Sequence, residues 1–358
     1  MARERHAGAE RAYGLKHATV TLQSSGRAFE VAAEESVLAG AVRAGINLPH
    51  SCRRGSCQSC LAHVVAGTVR YPGGRPSGLS AVEEAAGYAL LCQAHVTSDA
   101  LLVDAHEIVA GDDVRIHRVP CRVERLERLA DDVMALYLKL PPVIPFRFAA
   151  GQYLDVMRLG RRHSFSIASP PHDAGPIELH VRHVAGGEFT DHVFGGLEEK
   201  ALLRIEGPLG GFYFRDESQR PVLMMAGGTG FAPIKSMLRH VFETGLARDI
   251  HFYWGARARR DLYADELLAR WAAQHERFRY TPVLSEPHAR DEWHGRTGWV
   301  HEALVRDYPD LGAYELYMAG PPPMIEAAKV EFARHGLPRE HLHFDSFEFA
   351  EPAQTLAD

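Results

Sequence analysis

The chain has 358 residues, a length that suggests two or three domains rather than one. Apolar residues make up 46% and charged residues 24% of it, which excludes a disordered chain and allows buried cores. A net charge of −6 argues against a general nucleic-acid binder, which would present a basic surface. No apolar run approaches the roughly 20 residues of a membrane helix, and residues 1–17 lack the apolar core of a signal peptide. We therefore expect a soluble, cytoplasmic protein that binds neither nucleic acid nor membrane.

Changes of pattern divide the chain into segments. Alternation of apolar and polar residues over 18–23 and 27–32 predicts a β-hairpin, and Ser36 is placed to cap a short helix that ends at Gly45. Short β-rich runs then recur at the spacing of an all-β barrel, and after Pro221 apolar strands alternate with amphipathic helices. The predicted segments are an N-terminal tail (1–17), an α+β domain (18–110), a β-barrel (115–216), an α/β domain with a doubly wound parallel sheet (217–350) and a C-terminal tail (351–358).

The α/β domain begins with a clear strand and helix. Residues 222–226 (VLMMA) form a continuous apolar run, which is typical of a parallel strand buried on both faces. Residues 231–242 then place four apolar side chains on one face of a predicted helix, namely Phe231, Ile234, Leu238 and Val241.

Four of the five cysteines are grouped in the first domain. They are Cys52, Cys57, Cys60 and Cys92, with the spacing C-x4-C-x2-C and a distant fourth, while Cys121 stands alone in the barrel. This spacing matches a plant-type [2Fe–2S] site, in which four thiolates complete the tetrahedra of two irons. Thiols in the cytoplasm are kept reduced, which favours metal binding over disulfides. We expect Cys121 to be a small buried apolar residue.

Two other metal sites are compatible with some of these residues. A zinc site would use the same four cysteines, or Cys60 and His63 with Cys92 and His95, although zinc ribbons favour paired C-x2-C hooks. A Rieske centre needs histidine ligands, and the chain has no Cys-x-His pair.

Three glycine-containing loops are placed to bind phosphate groups. Residues 186–190 (GGEFT) predict a turn that opens a short helix, whose N–H groups and Thr190 hydroxyl would suit a phosphate; a simple helix cap is the alternative. The run Gly227-Gly228-Thr229-Gly230 follows the buried strand and opens a helix, which suits a pyrophosphate. Residues 319–324 (AGPPPM) repeat this arrangement after a later strand, at the same edge of the sheet.

In their order along the chain, these motifs resemble the ferredoxin–NAD(P)H reductase superfamily with a fused N-terminal ferredoxin, over about residues 18–349. Oxygenase reductase components of the benzoate dioxygenase and phenol hydroxylase type have this layout, as does CDP-6-deoxy-glucoseen reductase. The resemblance implies a β-grasp ferredoxin domain, an antiparallel FAD-binding barrel and an NAD-binding domain. It also implies that electrons pass from NADH to FAD, then to the [2Fe–2S] cluster, and then singly to a terminal oxygenase component.

The family's flavin motif, Arg-x-Tyr-Ser, falls on residues 163–166 (HSFS). The resemblance implies that Phe165 contacts the flavin ring and that Ser166 hydrogen-bonds it near N5. His163 stands where the family has an arginine on the FAD pyrophosphate, and that contact could pass to Arg162 instead. The remaining residues assigned to FAD are Ser164, Ile167, His180, Val181, Arg182, Gly187, Phe189 and Thr190.

The family's nicotinamide loop, Cys-Gly-x-x-x-Met, falls on residues 319–324, with Ala319 in place of the cysteine. This change implies slower, but not abolished, reduction by NADH. Residues 345–347 (DSF) resemble the family's ending, so Phe347 would cover the flavin and Asp345 would lie near the nicotinamide. Ser166, Asp345 and Phe347 are thus the expected catalytic residues. The other residues assigned to the nucleotide are Gly228, Thr229, Gly230, Pro233, Gly320, Pro321 and Met324.

The expected nucleotide is NADH. NADP-specific relatives have a serine–arginine pair where this chain has Ser285 and Glu286, and a carboxylate repels a 2′-phosphate. Arg257 could attract that phosphate, although NADH-using relatives also have an arginine there. The main hypothesis is therefore a monomeric NADH-dependent reductase for an oxygenase. The alternatives are an electron donor in deoxysugar synthesis and a metal-binding scaffold without redox function.

Overall fold

The computed structural model describes residues 17–108 and 115–347. These residues form two compact units, one of residues 17–48 and 53–107 and the other of residues 49–52 and those from 108 onward. The predicted C-terminal tail and all of the predicted N-terminal tail except His17 lie outside the described residues. So do residues 109–110 at the end of the domain predicted at 18–110, and residues 348–350 at the end of the domain predicted at 217–350. The exact domain bounds stay a prediction.

The first unit has one helix packed on a mixed five-stranded sheet. Its sheet order is β2-β1-β7-β3-β5, in which β1 pairs antiparallel with β2 and parallel with β7. This is the predicted β-grasp arrangement. The strands of this sheet are β1 (His17–Leu22), β2 (Ala28–Ala32), β3 (Leu61–Ala66), β5 (Tyr88–Leu90) and β7 (Ala100–Asp104), and the helix packed on it is α1 (Val37–Arg43). Two further strands, β4 (Val69–Arg70) and β6 (His95–Val96), pair with each other in a separate sheet, and a second, short helix is α2 (Ala81–Ala85).

Local sequence accounts for the first elements of this unit. The alternation in β1 buries Val20 and Leu22 in the core, while Thr19 and Thr21 are partly exposed. Ser36 caps α1 by accepting a hydrogen bond from the backbone N–H of Ala39, as its position predicts.

The second unit begins with a six-stranded antiparallel sheet. Its order is β11-β10-β13-β8-β9-β12, and a bridge between Ile167 and Leu179 joins the last strand to the end of the first. The sheet therefore closes into the predicted barrel. Its strands are β8 (His117–Ala130), β9 (Val133–Lys139), β10 (Tyr153–Arg158), β11 (Arg161–Ser166), β12 (Ile177–Arg182) and β13 (Leu202–Leu209), with helix α3 (Glu188–Gly195) after β12.

The rest of the second unit is a parallel sheet covered by helices on both faces. Its order is β17-β16-β15-β14-β18-β19. The strands are β14 (Val222–Gly227), β15 (Ile250–Ala256), β16 (Phe278–Leu284), β17 (Arg296–Thr297), β18 (Glu315–Gly320) and β19 (Leu342–Ser346). The helices are α4 (Phe231–Thr244), α5 (Asp265–Gln274), α6 (Val300–Asp307) and α7 (Pro322–Arg334).

Strand β14 divides its side chains between two cores. Val222, Met224 and Ala226 pack with α4 and α5, whereas Leu223 and Met225 pack with α6 and α7. This confirms the predicted doubly wound sheet. Strands β15 and β16 follow on one side of β14, whereas β18 lies on its other side, so the strand order reverses between β14 and β18. The loops after β14 and β18 meet at this point, and such sheets bind ligands there.

A buried carboxylate at the start of β18 gives the fold a testable pH dependence. Glu315 accepts hydrogen bonds from Ser218 at 2.5 Å and from His343 at 2.6 Å. Burial raises its pKa, but His343 and Ser218 outweigh burial and bring the pKa down to about 2. Because an unfolded glutamate titrates near 4.5, the stabilisation is complete above that pH and is lost as the pH falls toward 2.

We expect Glu315→Gln to lower the free energy of unfolding by about 1–3 kcal/mol at neutral pH. The difference from the wild-type protein should shrink below pH 4.5, the unfolded value. Urea unfolding over a pH series measures it, with Glu340→Gln at an exposed position as the control. A difference that stays constant with pH would contradict this account of Glu315.

Candidate functional site

Three of the four clustered cysteines are buried close together in the first unit. Cys57, Cys60 and Cys92 are 3–7% exposed, and the backbone N–H of Leu91 donates to the carbonyl of Cys60. That bond brings Cys92 beside Cys60. The described residues form no disulfide.

The donor set suits a two-iron cluster. Contact with the Cys92 thiol and burial raise the pKa of the Cys60 thiol well above its usual range. Two such neighbouring thiolates need a cation between them. Within the described residues no three His, Cys, Asp or Glu side chains surround one metal position. A binuclear cluster shares four thiolates between two irons, so adjacent thiols such as Cys60 and Cys92 fit it. The four ligands stay a prediction.

The cysteine loop has an unusual backbone. Arg53, Gly55 and Gln58 all have left-handed conformations, with φ of 57°, 79° and 64°. Non-glycine residues in this region are strained and occur mainly at functional sites. The strain is supported by contacts with a neighbouring segment, because Gly78 donates to the Gly55 carbonyl at 2.8 Å and accepts from the Gln58 side chain at 2.7 Å. The loop is thus held tightly around the thiols.

Strand β11 carries the predicted flavin motif in the second unit. The ring of Phe165 packs against Phe189 with centroids 5.4 Å apart, and the hydroxyl of Ser164 donates to Asp155 at 2.7 Å. The Ser166 hydroxyl donates to Oδ2 of Asp345 at 3.3 Å. Ile167 is fully buried in the barrel core. The motif therefore connects the barrel to the end of β19.

His163 is the member of this motif whose side chain is best placed to bind FAD. Its ring stacks on Phe189 at 5.1 Å, and its buried Nε2 has no hydrogen-bond partner among the described residues. Burial lowers the pKa of His163, so it offers a neutral N–H rather than a charge. Arg162 is the alternative residue predicted to contact the pyrophosphate, and its guanidinium forms an ion pair with Glu206 at 2.5 Å. An orphaned buried nitrogen at this position fits FAD.

In the second flavin segment and the phosphate turn, several side chains predicted to bind FAD are hydrogen-bonded to, or packed against, other residues of the protein. Both ring nitrogens of His180 are bonded, to Tyr263 and to Glu178, and Val181 lies in the barrel core. These two residues have only their backbone to offer a flavin. The Thr190 hydroxyl bonds Val184 and Gly187 in its own turn, at the start of α3.

The two nucleotide loops lie against each other. Residues Gly228–Gly230 form a 3-10 turn between β14 and α4, and a Cβ at Gly230 would overlap the carbonyl of Ala319. A Cβ at Gly228 would lie 2.9 Å from the Arg182 guanidinium. Glycine is therefore required for this close approach. Thr229 lies in the turn, Pro233 is buried in the first turn of α4, Pro321 caps α7, and Met324 lies beside Gly227 and Gly320.

Asp345 contacts Ser166, another of the predicted catalytic residues. It accepts hydrogen bonds from Ser166 and, at 2.6 Å, from the hydroxyl of Ser51. Burial raises its pKa to about 6, against the pull of both serines. The backbone N–H of Phe347 donates to the Gly320 carbonyl at 2.9 Å. Sequence reasoning missed Ser51 as a partner, since no local pattern marks a residue that pairs 294 positions away.

The two residues that bear on nucleotide choice lie on adjacent loops. The backbone N–H of Glu286 donates to the Arg257 carbonyl at 2.9 Å, at the carboxyl ends of β16 and β15. Both side chains are exposed. A carboxylate and a guanidinium thus face solvent together where an adenosine ribose would bind.

Comparison with known proteins matches three family models to successive parts of the chain. A 2Fe-2S iron-sulfur cluster binding domain matches residues 20–97, which include all four clustered cysteines. An oxidoreductase FAD-binding domain matches residues 120–214, and an oxidoreductase NAD-binding domain matches residues 224–330.

The chain belongs to the ferredoxin–NAD(P)H reductase superfamily with a fused N-terminal ferredoxin. It is an NAD(P)H:acceptor oxidoreductase of the iron–sulfur flavoprotein type, and its cofactors are FAD, a [2Fe–2S] cluster and NADH. The predicted resemblance and cofactors are confirmed.

The reductase has relatives along almost its whole length. Protein RfbI of Salmonella typhimurium is 40% identical over 88% of this chain and 92% of its own length. The CDP-6-deoxy-L-threo-D-glycero-4-hexulose-3-dehydrase reductase of Yersinia pestis is 36% identical over 92% and 98%. Reductase components of phenol and propane monooxygenases match at 33–35% identity.

A solved structure has the same folds. The cytochrome P450 reductase GcoB of Amycolatopsis is 31% identical, with a TM-score of 0.78 over 92% of this chain and 98% of that one. Among the residues that the structure covers, no helix of the reductase has the length and apolarity to cross a membrane.

Proposed function

We propose that the reductase transfers electrons from NADH to the terminal component of a multicomponent oxygenase. The observation that carries this proposal is the order of domains: an NAD-binding sheet, an FAD-binding barrel and an iron–sulfur domain lie in one chain. The iron–sulfur domain allows the chain to transfer electrons one at a time to an acceptor protein. An oxygenase component needs such transfer, whereas a simple dehydrogenase does not.

The chain's own residues position the reactants. FAD, when bound, would supply a carrier that accepts an electron pair from NADH and releases single electrons to the cluster. Ser166 and Asp345 form a hydrogen-bonded pair at the barrel's edge of the nucleotide site. Because the pKa of Asp345 is about 6, its carboxylate is mostly ionised at neutral pH and accepts from Ser166, fixing the hydroxyl's direction. The glycine loops after β14 and β18 touch each other, and we assign the pyrophosphate of NADH to the backbone N–H groups of these loops.

NADH is the preferred nucleotide in this proposal because Glu286 is exposed beside Arg257. The carboxylate repels a 2′-phosphate and accepts from a 2′-hydroxyl. We expect Glu286→Ala to raise kcat/KM for NADPH about tenfold, while kcat/KM for NADH falls only a few-fold. Steady-state assays with both nucleotides measure it. Glu276→Ala, the same charge change at the opposite end of β16, serves as control, and an unchanged NADPH preference in Glu286→Ala would contradict the assignment.

A second acceptor is favoured by one comparison. The Yersinia relative is named as the reductase of a CDP-hexulose dehydrase, and it matches over 98% of its length. An electron donor in deoxysugar synthesis is therefore the alternative, and it uses the same electron path up to the cluster.

Coupled reconstitution separates the two acceptors. The purified reductase is supplied with NADH and with either the oxygenase component of a phenol monooxygenase or a CDP-hexulose dehydrase. Product formation with the oxygenase alone would support the proposal. Product formation with the dehydrase alone would replace it with the alternative.

A further inference from the structure

Helix α4 contacts the barrel through polar groups that are most buried near the start of the helix. The ammonium of Lys235 lies 2.6 and 2.7 Å from the two carboxylate oxygens of Glu178, whose side chains are 14% and 7% exposed. One turn further on, Arg239 pairs with Asp173 at 3.2 Å, where the side chains are 27% and 34% exposed. Only the first pair is removed from solvent.

Glu178 also organises two aromatic side chains. His180 lies 3.0 Å from Glu178 through Nε2 and 2.9 Å from the Tyr263 hydroxyl through Nδ1. Since the carboxylate can only accept, Nε2 carries the proton and Nδ1 accepts from Tyr263. The four residues Glu178, His180, Lys235 and Tyr263 therefore form one connected network, which we call the latch.

Strand β12 explains why these groups face the helix. Its alternation sends Ile177, Leu179 and Val181 into the barrel core. Glu178 and His180 point the opposite way, yet they are only 5–6% exposed because α4 and the loop with Tyr263 cover them. A strand of the barrel thus presents a carboxylate to the helix of the nucleotide-binding sheet.

The latch lies between the two halves of the predicted reaction site. Helix α4 begins directly after the Gly228–Gly230 turn, and Lys235 is one helical turn beyond that start. On the barrel side, β12 ends at Arg182, whose guanidinium would meet a Cβ placed on Gly228. A shift of α4 along β12 would therefore move the nucleotide loop relative to the barrel.

A buried ion pair is better suited to fixing register than to adding stability. Removing two charges from water costs about as much as their attraction returns, so an apolar pair often stabilises a fold equally well. Burial raises the pKa of Glu178, but His180 and Lys235 bring it down to about 2, so Glu178 is a carboxylate at neutral pH. The short bidentate contact then tolerates little sliding.

We propose that Lys235 and Glu178, supported by His180 and Tyr263, are positioning residues that fix the nucleotide loop of α4 against the barrel strand that carries FAD. This inference rests on the proposed function, in which NADH bound at that loop reduces FAD bound at the barrel. The side chains of the latch touch neither reactant in this account and act through α4 and β12.

The expected result is a loss of reduction rate without a loss of nucleotide binding. Lys235→Met keeps the side-chain volume and removes the charge. At saturating NADH, its rate of FAD reduction in stopped-flow should fall about tenfold or more, because small misplacement of reacting groups is costly. Its affinity for ADP-ribose, which lacks the nicotinamide and needs only the sheet, should stay within about twofold of the wild-type value.

Three further variants separate positioning from folding. Lys235→Arg keeps the charge and should recover part of the rate. Glu178→Gln combined with Lys235→Met leaves no unpaired buried charge, so it should unfold like the wild-type protein yet remain slow. Arg239→Met is the matched control on the same helix, and it should keep its rate because exposed ion pairs contribute little. Hydrogen exchange gives a readout apart from activity: amides of residues 228–240 should exchange faster in Lys235→Met than in Arg239→Met.

The outcomes are distinct. Slow reduction in Lys235→Met and in the double variant, with faster exchange at the start of α4, would support the latch. Equal rates and equal exchange in Lys235→Met and Arg239→Met would overturn it. A wild-type protein whose FAD is not reduced by NADH would instead overturn the proposed function.

Discussion

Cys60→Ala is expected to contain FAD but no [2Fe–2S] cluster. The substitution removes one of four predicted thiolates, and the loop around it is already strained at Arg53 and Gln58, so a three-ligand cluster would not be retained. NADH-dependent reduction of cytochrome c, a one-electron acceptor protein, should fall about a hundredfold or more, whereas ferricyanide reduction directly from the flavin should persist. Iron content, visible absorbance and the two assays measure the effect.

Cys121 supplies the control for this experiment. Its thiol is buried in the barrel core, where burial raises its pKa to about 12, and it takes part in no predicted site. Cys121→Ala should keep its iron and its cytochrome c activity. A Cys60→Ala protein with full iron content would remove Cys60 from the ligand set.

Asp345→Asn is expected to slow the reduction of FAD by NADH about a hundredfold. The carboxylate accepts from Ser166 and Ser51, and an amide would have to turn its NH2 group toward one of these hydroxyls. The predicted flavin serine would then lose its fixed orientation. Because the nucleotide loops are untouched, the change should appear in kcat rather than in KM.

Asp249→Asn is a matched control for Asp345→Asn, since Asp249 is exposed and directly precedes β15 at the opposite edge of the same sheet. Stopped-flow rates at several NADH concentrations separate kcat from KM. An Asp345→Asn protein with the wild-type rate would show that the carboxylate is not needed. A change confined to KM would assign it to nucleotide binding instead.

Local patterns were enough to predict most of the fold. The run at 222–226 became β14, with every residue buried, and the face of Phe231, Ile234, Leu238 and Val241 became the buried side of α4. Both signals depend on residues close in sequence, where the periods of strand and helix act directly. The glycine loops were found in the same way, because each follows a buried strand.

Contacts between distant residues could not be predicted. Lys235 and Glu178 are 57 positions apart, and a lysine in an amphipathic helix normally indicates a solvated face. The resemblance assigns His180 to FAD, and that assignment stays a prediction; no local pattern indicates that the alternation of β12 directs its ring toward Glu178 and Tyr263. The effects of His163 and Ala319, which depart from the family motif, could not be predicted for the same reason, since they depend on neighbours that the motif does not include.

The central claim is that one chain carries electrons from NADH through FAD to the cluster. An anaerobic titration of the purified protein with NADH, followed by visible absorbance and by electron paramagnetic resonance, tests it most directly. We predict that the flavin and cluster bands both bleach and that a reduced-cluster signal appears. Bleaching of the flavin band alone, with no cluster signal, would contradict the account.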